Sequence, residues 1–111
     1  MSFKKFESLF KTNKPIIAMV HFPALPGSPL YNDKLGIDYI LESAEKDLIA
    51  LQDAGVDAVM FGNENDRPYE FNVNSATTST MAFVIGNLKN KIKVPFGVNV
   101  LFDPMSSIAL A

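Results

Sequence analysis

The side chains best suited to chemistry are one histidine, a pair of loop carboxylates and an asparagine inside an apolar run. His21 closes the run Ile16-Ile17-Ala18-Met19-Val20-His21 and is the sole histidine of the chain. Histidine titrates near neutrality, so one such residue can serve as a general acid or base. The plainer reading is a ring packed under the next loop and bonded to a backbone carbonyl. Glu64 and Asp66 lie in Asn63-Glu64-Asn65-Asp66-Arg67-Pro68-Tyr69. Loop carboxylates can bind a divalent cation or act as a base. Equally, Asn65 and Asp66 ahead of Arg67-Pro68 make a good turn initiator. The forked guanidinium of Arg67 could clamp a phosphate or pair with a neighbouring carboxylate. Asn99 sits within Val98-Asn99-Val100. A buried amide is costly unless it is hydrogen-bonded. It must therefore bond either the neighbouring strand loops or a ligand. Asp103, ahead of Pro104, reads first as a helix cap.

Three strand-and-helix repeats position these groups. Phe3, Phe6, Leu9 and Phe10 recur at helical spacing and predict a short amphipathic helix packed against the rest. It ends at Asn13-Lys14-Pro15, because proline disfavours helix in the residue before it. Ile16–His21 is expected to be a strand buried on both faces. In Phe22–Tyr31 three prolines and a glycine exclude regular structure, yet Phe22, Leu25, Leu30 and Tyr31 are apolar. An ordered loop that folds back is expected, serving as a lid, a pocket wall or a plug. Ile37, Leu41, Ala44, Leu48 and Leu51 form the stripe of the next helix, with Asp38 as its cap and Gly55 as its stop. Val56–Phe61 is the second strand. Ser75 is the expected cap of a helix with Met81, Ile85, Leu88 and Ile92 inward. Pro95–Leu101 is the third strand, and Asp103-Pro104 opens a further helix.

Parallel strands joined by helical crossovers fit either a doubly wound sheet or a (β/α)₈ barrel. No G-x-G-x-x-G follows the first strand and no Walker motif is present. Instead each strand ends in polar residues, which favours a barrel whose mouth lies at the C-terminal strand ends. The inward barrel face is expected to carry Ile17, Met19, Val59 and Leu101. The last helix is cut short at Ser107–Ala111 without a polar tail or capping glycine. The expectation is therefore the N-terminal part of a longer βα-repeat protein.

Bulk properties narrow the function classes. A net charge of −2, with scattered lysines, argues against nucleic acid as a partner. With no cysteine, disulfides, thiolate catalysis and Cys-based zinc sites are excluded within the chain. No apolar run approaches the roughly 20 residues of a spanning helix, and the early Glu7 is unlike a secretory signal. Cytoplasmic location is the default expectation. No metal-ligand set is assigned and no cofactor is legible.

Three segments carry a family likeness. Lys14-Pro15-Ile16-Ile17-Ala18-Met19-Val20-His21-Phe22-Pro23-Ala24-Leu25-Pro26-Gly27-Ser28-Pro29 resembles the opening of the BtpA/SgcQ family. Ala54–Phe61 and Val94–Leu101 resemble its next two strands. The likeness implies a TIM-type barrel grouped with ribulose-phosphate-binding barrels, of whose eight βα units this chain would hold about three. One family branch is named for photosystem I biogenesis, and another is associated with sugar-uptake genes and labelled a nucleotidase or sugar-metabolism protein. This chain departs from the family at Asn63–Tyr69, where many members read Glu-Asn-Phe-Gly-Asp-x-Pro. It departs again at Phe102-Asp103-Pro104, where Arg-Asn-Asp is common.

The reading that follows is a barrel protein, expected to be an enzyme acting on a small polar or phosphorylated metabolite, sugar or nucleotide related. His21 and Glu64 would be catalytic, with Asn63, Asp66, Arg67 and Asn99 binding the ligand. The alternatives are a non-catalytic assembly factor and an inactive truncated fragment. Three strands leave two open edges and an uncovered inner face, so oligomerisation or aggregation is expected.

Overall fold

Apolar runs bounded by proline and glycine form a parallel sheet, and the helices between them cover one of its faces. The computed structural model describes residues 4–111. In chain order the elements are α1 (Lys4–Leu9), β1 (Ile17–His21), α2 (Gly36–Asp53), β2 (Ala58–Gly62), α3 (Ser75–Leu88), a 3₁₀ turn (Lys89–Lys91), β3 (Phe96–Asn99) and α4 (Pro104–Leu110). The sheet order is β1-β2-β3 and both pairings are parallel. This is the architecture of consecutive βα units.

The sheet register assigns each strand side chain to a face. Val20 pairs with Phe61 and Phe61 with Val98, while His21 pairs with Gly62 and Gly62 with Asn99. Val20, Val59 and Phe61 join Ile40, Ala44 and Leu48 of α2 and Met81, Val84, Ile85 and Leu88 of α3 in one core. Both helices thus pack on the same side, as right-handed crossovers in one rotational sense require. Phe22 and Leu25 of the first loop complete this core, with Phe22 stacked on Phe61 at 5.8 Å.

Several expectations are corrected. β1 is covered on one face only, since Ile17 and Met19 are 49% and 39% exposed. Val59 faces the helices rather than the opposite side, because it shares a row with Ala18 and Phe96, one residue out of step with Met19 and Met60. The buried line of α2 is Ile40, Ala44 and Leu48, with Leu41 and Leu51 half-buried and Ile37 exposed. Asp38 does not cap α2, which begins at Gly36 with φ +70° after an asparagine turn. In that turn Asn32 Oδ1 accepts from the Lys34 amide at 3.1 Å. Asn74 caps α3 in place of Ser75, its Oδ1 accepting from the Thr77 amide at 3.1 Å. α1 buries no side chain, so its expected packing on the rest is not seen. Phe3, part of the same expected stripe, lies outside the described residues.

Other local readings hold. Gly55 takes φ +87° just past α2, in the left-handed region that glycine reaches without cost. Pro104 opens α4 behind Asp103, whose carboxylate accepts from the Ser106 amide at 3.0 Å. Among the described residues no helix is long and apolar enough to cross a membrane.

Candidate site at the C-terminal strand ends

His21, Gly62 and Asn99 form one row across the sheet at the last paired position of each strand. Neighbouring strands lie roughly 4.8 Å apart, so the Cα atoms of His21 and Asn99 are about 10 Å apart. Side chains in one row of a parallel sheet share a face. That of His21, Met19 and Ile17 is the face the helices leave open. His21 is exposed and Asn99 half-buried. Neither side chain makes a hydrogen bond to the described residues, and no buried polar side-chain atom among them lacks a partner.

The loop after β2 behaves differently. Asn63 and Asp66 are buried. Asn63 Oδ1 accepts from the Leu101 amide at 2.8 Å, and its Nδ2 donates to Asp66 Oδ2 at 3.3 Å. Asp66 Oδ1 accepts from the Leu25 amide at 2.7 Å. Asn65 Nδ2 donates to the Phe22 carbonyl at 2.7 Å. These bonds tie together the loops after all three strands, across sequence separations of 38 to 43 residues. Burial drives the Asp66 carboxyl above its ordinary range. The bonds from Leu25 and Asn63 oppose that shift, and the nearby Glu70 charge adds to it.

Glu64 is half-buried, and its Oε1 accepts from the Tyr69 hydroxyl at 2.9 Å. Arg67 is exposed. The ion pair found among the described residues joins Lys91 and Glu45, so Arg67 holds no carboxylate there. The proline-rich loop folds back onto the core, as expected. Leu25 is wholly buried, and Gly27 packs so closely on Asn74 that a Cβ at Gly27 would stand 2.4 Å from Asn74 Nδ2. Among the described residues no group of three or more His, Cys, Asp or Glu is gathered as a metal-binding cluster.

The sequence profile of the BtpA family matches residues 12–111. The chain belongs to the BtpA family. It is 51% identical over 100 residues to the sgc region protein SgcQ of Escherichia coli, covering 90% of this chain and 37% of that protein. An uncharacterised protein of Pyrococcus horikoshii is 42% identical over 89 residues, 80% of this chain and 34% of that one. One from Methanocaldococcus jannaschii is 40% identical over 93 residues, 84% and 34% respectively. The chain thus spans little more than a third of the length of these curated relatives. No solved structure matches it.

In this BtpA-family chain, Asp103 acts as the expected cap and as more. Its Oδ2 also accepts from the Val73 amide at 2.9 Å and the Ser106 hydroxyl at 2.7 Å. Those bonds, led by the Ser106 hydroxyl, hold its carboxyl below the ordinary range. Reading the sequence alone missed Asn65, Tyr69, Asn74 and Gly62. An asparagine in a loop carries no mark of its partner, whereas a glycine ending a strand is a signal that could have been followed.

Proposed function

We propose that the three strands are consecutive units of a (β/α)₈ barrel of the ribulose-phosphate-binding type. At its mouth a cytoplasmic enzyme would bind a small polar or phosphorylated metabolite, related to a sugar or nucleotide. The observation that carries this reading is the row His21–Gly62–Asn99 at the C-terminal ends of parallel strands, where barrel enzymes keep their chemistry. His21 serves as general acid or base, since its ring is exposed and bonded to nothing else described. Asn99 and Arg67, likewise unengaged, bind the ligand. Glu64 contributes its carboxylate from the rim, with Tyr69 orienting it. Asn63 and Asp66 act on the ligand indirectly, by holding three loops in place. In the longer relatives, loops after later strands would supply the remaining groups, as in barrel phosphate sites.

The test is turnover by a full-length relative against a panel of sugar phosphates and nucleotides. The His21→Gln counterpart should lose about 10²–10⁴-fold in kcat if the residue moves a proton. Unchanged turnover would sink that role. A second reading, a non-catalytic assembly factor, is favoured by the engagement of Glu64, Asn63 and Asp66 in internal hydrogen bonds. Such a factor would tolerate His21→Gln.

The partner expected for the 111-residue chain alone is a second copy of itself. β1 and β3 are open sheet edges, and Ile17, Met19 and Phe96 are exposed. Sedimentation velocity should show oligomers. A monodisperse monomer with a sharp unfolding transition would overturn this.

A further inference from the structure

Phe102 holds the left-handed backbone conformation, with φ +58°, and no other non-glycine residue does so among those described. It is the third residue of a tight turn closed by the Asp103 amide, which donates to the Val100 carbonyl at 3.0 Å. Glycine and asparagine fill that position readily, whereas the Cβ of a bulky residue is crowded there. The turn is held from both sides. The Leu101 amide donates to Asn63 Oδ1 at 2.8 Å, and Asp103 Oδ2 accepts from the Val73 amide at 2.9 Å. Burial of the ring does not offset the strain, because Phe102 is 55% exposed. Residues strained in this way cluster where ligands are held.

The Phe102 ring belongs to an aromatic cluster. Its centroid lies 5.3 Å from that of Tyr69, with 69° between the planes, and 6.0 Å from that of Phe71, with 44°. Phe71 is 80% exposed. Tyr69 is fixed from its far end by the bond between its hydroxyl and Glu64. Tyr69 and Phe71 come from the loop after β2, and Phe102 follows Asn99 by three residues. The rings therefore stand at the C-terminal end of the sheet, the end that carries His21 and Asn99. Three rings cover far less than the roughly 800 Å² per partner of a stable protein interface, so they suit a small ligand.

We propose that Tyr69, Phe71 and Phe102 form a stacking platform at the rim of the mouth for the flat heteroaromatic ring of a nucleotide. This rests on the reading of the strand ends as a binding mouth, and it selects a base-bearing ligand over a plain sugar phosphate. A fixed, exposed aromatic face stacks on the face of a base. The carboxylates of Glu64 and Glu70, beside these rings in sequence, accept from the amino group of such a base. They repel a phosphate, so the phosphate points away from this rim.

Equilibrium dialysis of the full chain against AMP, adenosine and ribose 5-phosphate tests this. AMP should bind about ten-fold more tightly than ribose 5-phosphate, the gain expected from stacking one base. Phe71→Ala should remove most of that advantage and leave the urea midpoint unchanged, because its ring is open to solvent. Phe102→Asn should do the same, since asparagine tolerates the left-handed turn. Equal binding of AMP and ribose 5-phosphate would overturn the platform and leave the mouth standing. Binding of AMP and adenosine without ribose 5-phosphate would support the platform and remove the phosphate from the mouth. Binding of none of the three would overturn both. Oligomers lost in Phe71→Ala with AMP affinity unchanged would assign the rings to a contact between copies and overturn the platform.

Discussion

On one face of the sheet Val20, Val59 and Phe61 are at most 1% exposed beneath α2 and α3, while on the other Ile17 and Met19 are 49% and 39% exposed. The two faces also treat their polar groups differently. Polar atoms of the loops that close over the helix-covered side are spent on backbone partners, as Asn63, Asn65, Asp66 and Asp103 show. His21 and Asn99, on the open side, have no such partners among the described residues. A buried polar group must be satisfied internally, so Asn63, Asp66 and Asp103 are committed to the fold. The open side keeps its own. Stability and recognition are thereby divided between two faces of three short strands.

The largest expected effect that would sharpen this contrast comes from truncating matched residues on the two faces. Phe61→Ala should cost roughly 3–5 kcal/mol, through lost burial and the cavity left behind. Met19→Ala should cost less, about 1–2 kcal/mol, because its side chain is only partly buried at 39% exposure. Urea titration of both variants checks this, and equal losses would mean that the open face is covered in solution.

Next in size is Asp66→Ala. It leaves the Leu25 amide without its partner and strips one bond from Asn63. A buried unsatisfied donor costs about 1–3 kcal/mol. A loss in that range, measured by denaturation, supports the loop-tying role. A neutral result would return Asp66 to the set of groups free to bind a ligand.

The smallest effect is the pH dependence, in which two carboxylates pull in opposite directions. Asp66 is raised in the folded chain by burial, so folding takes up protons there. Stability should fall as pH rises from the ordinary carboxylate value through the raised one. Asp103 is lowered by its hydrogen bonds, so its contribution is complete above the ordinary carboxylate value. That contribution is lost as pH falls through the lowered one. Asp66→Asn should remove the first slope and leave the acid-side loss intact. A profile unchanged by Asp66→Asn would mean that the buried environment of Asp66 does not persist in solution.

Much of the fold was legible in the residues because its signals are local. Gly55 and Asp103-Pro104 mark boundaries correctly through one residue's backbone limits or one cap, whereas α1 ends at Leu9, ahead of the stop expected at Asn13-Lys14-Pro15. Alternation of apolar strand and helical stripe is enough to imply parallel pairing, because short right-handed crossovers admit little else. The polar strand ends were legible for the same reason, which placed His21 and Asn99 together before any contact was known. Local signals did not settle the rest. The turn at Asn32 and the rotation of α2 onto Ile40 depend on what the helix packs against. The row to which Val59 belongs depends on the pairing of β2 with β1 and β3. Whether Asn63 and Asp66 face a ligand or the backbone was decided by amides about 40 residues away, those of Leu101 and Leu25. Residue types tell which hydrogen bonds are possible, but only the folded loops determine which of them are already made.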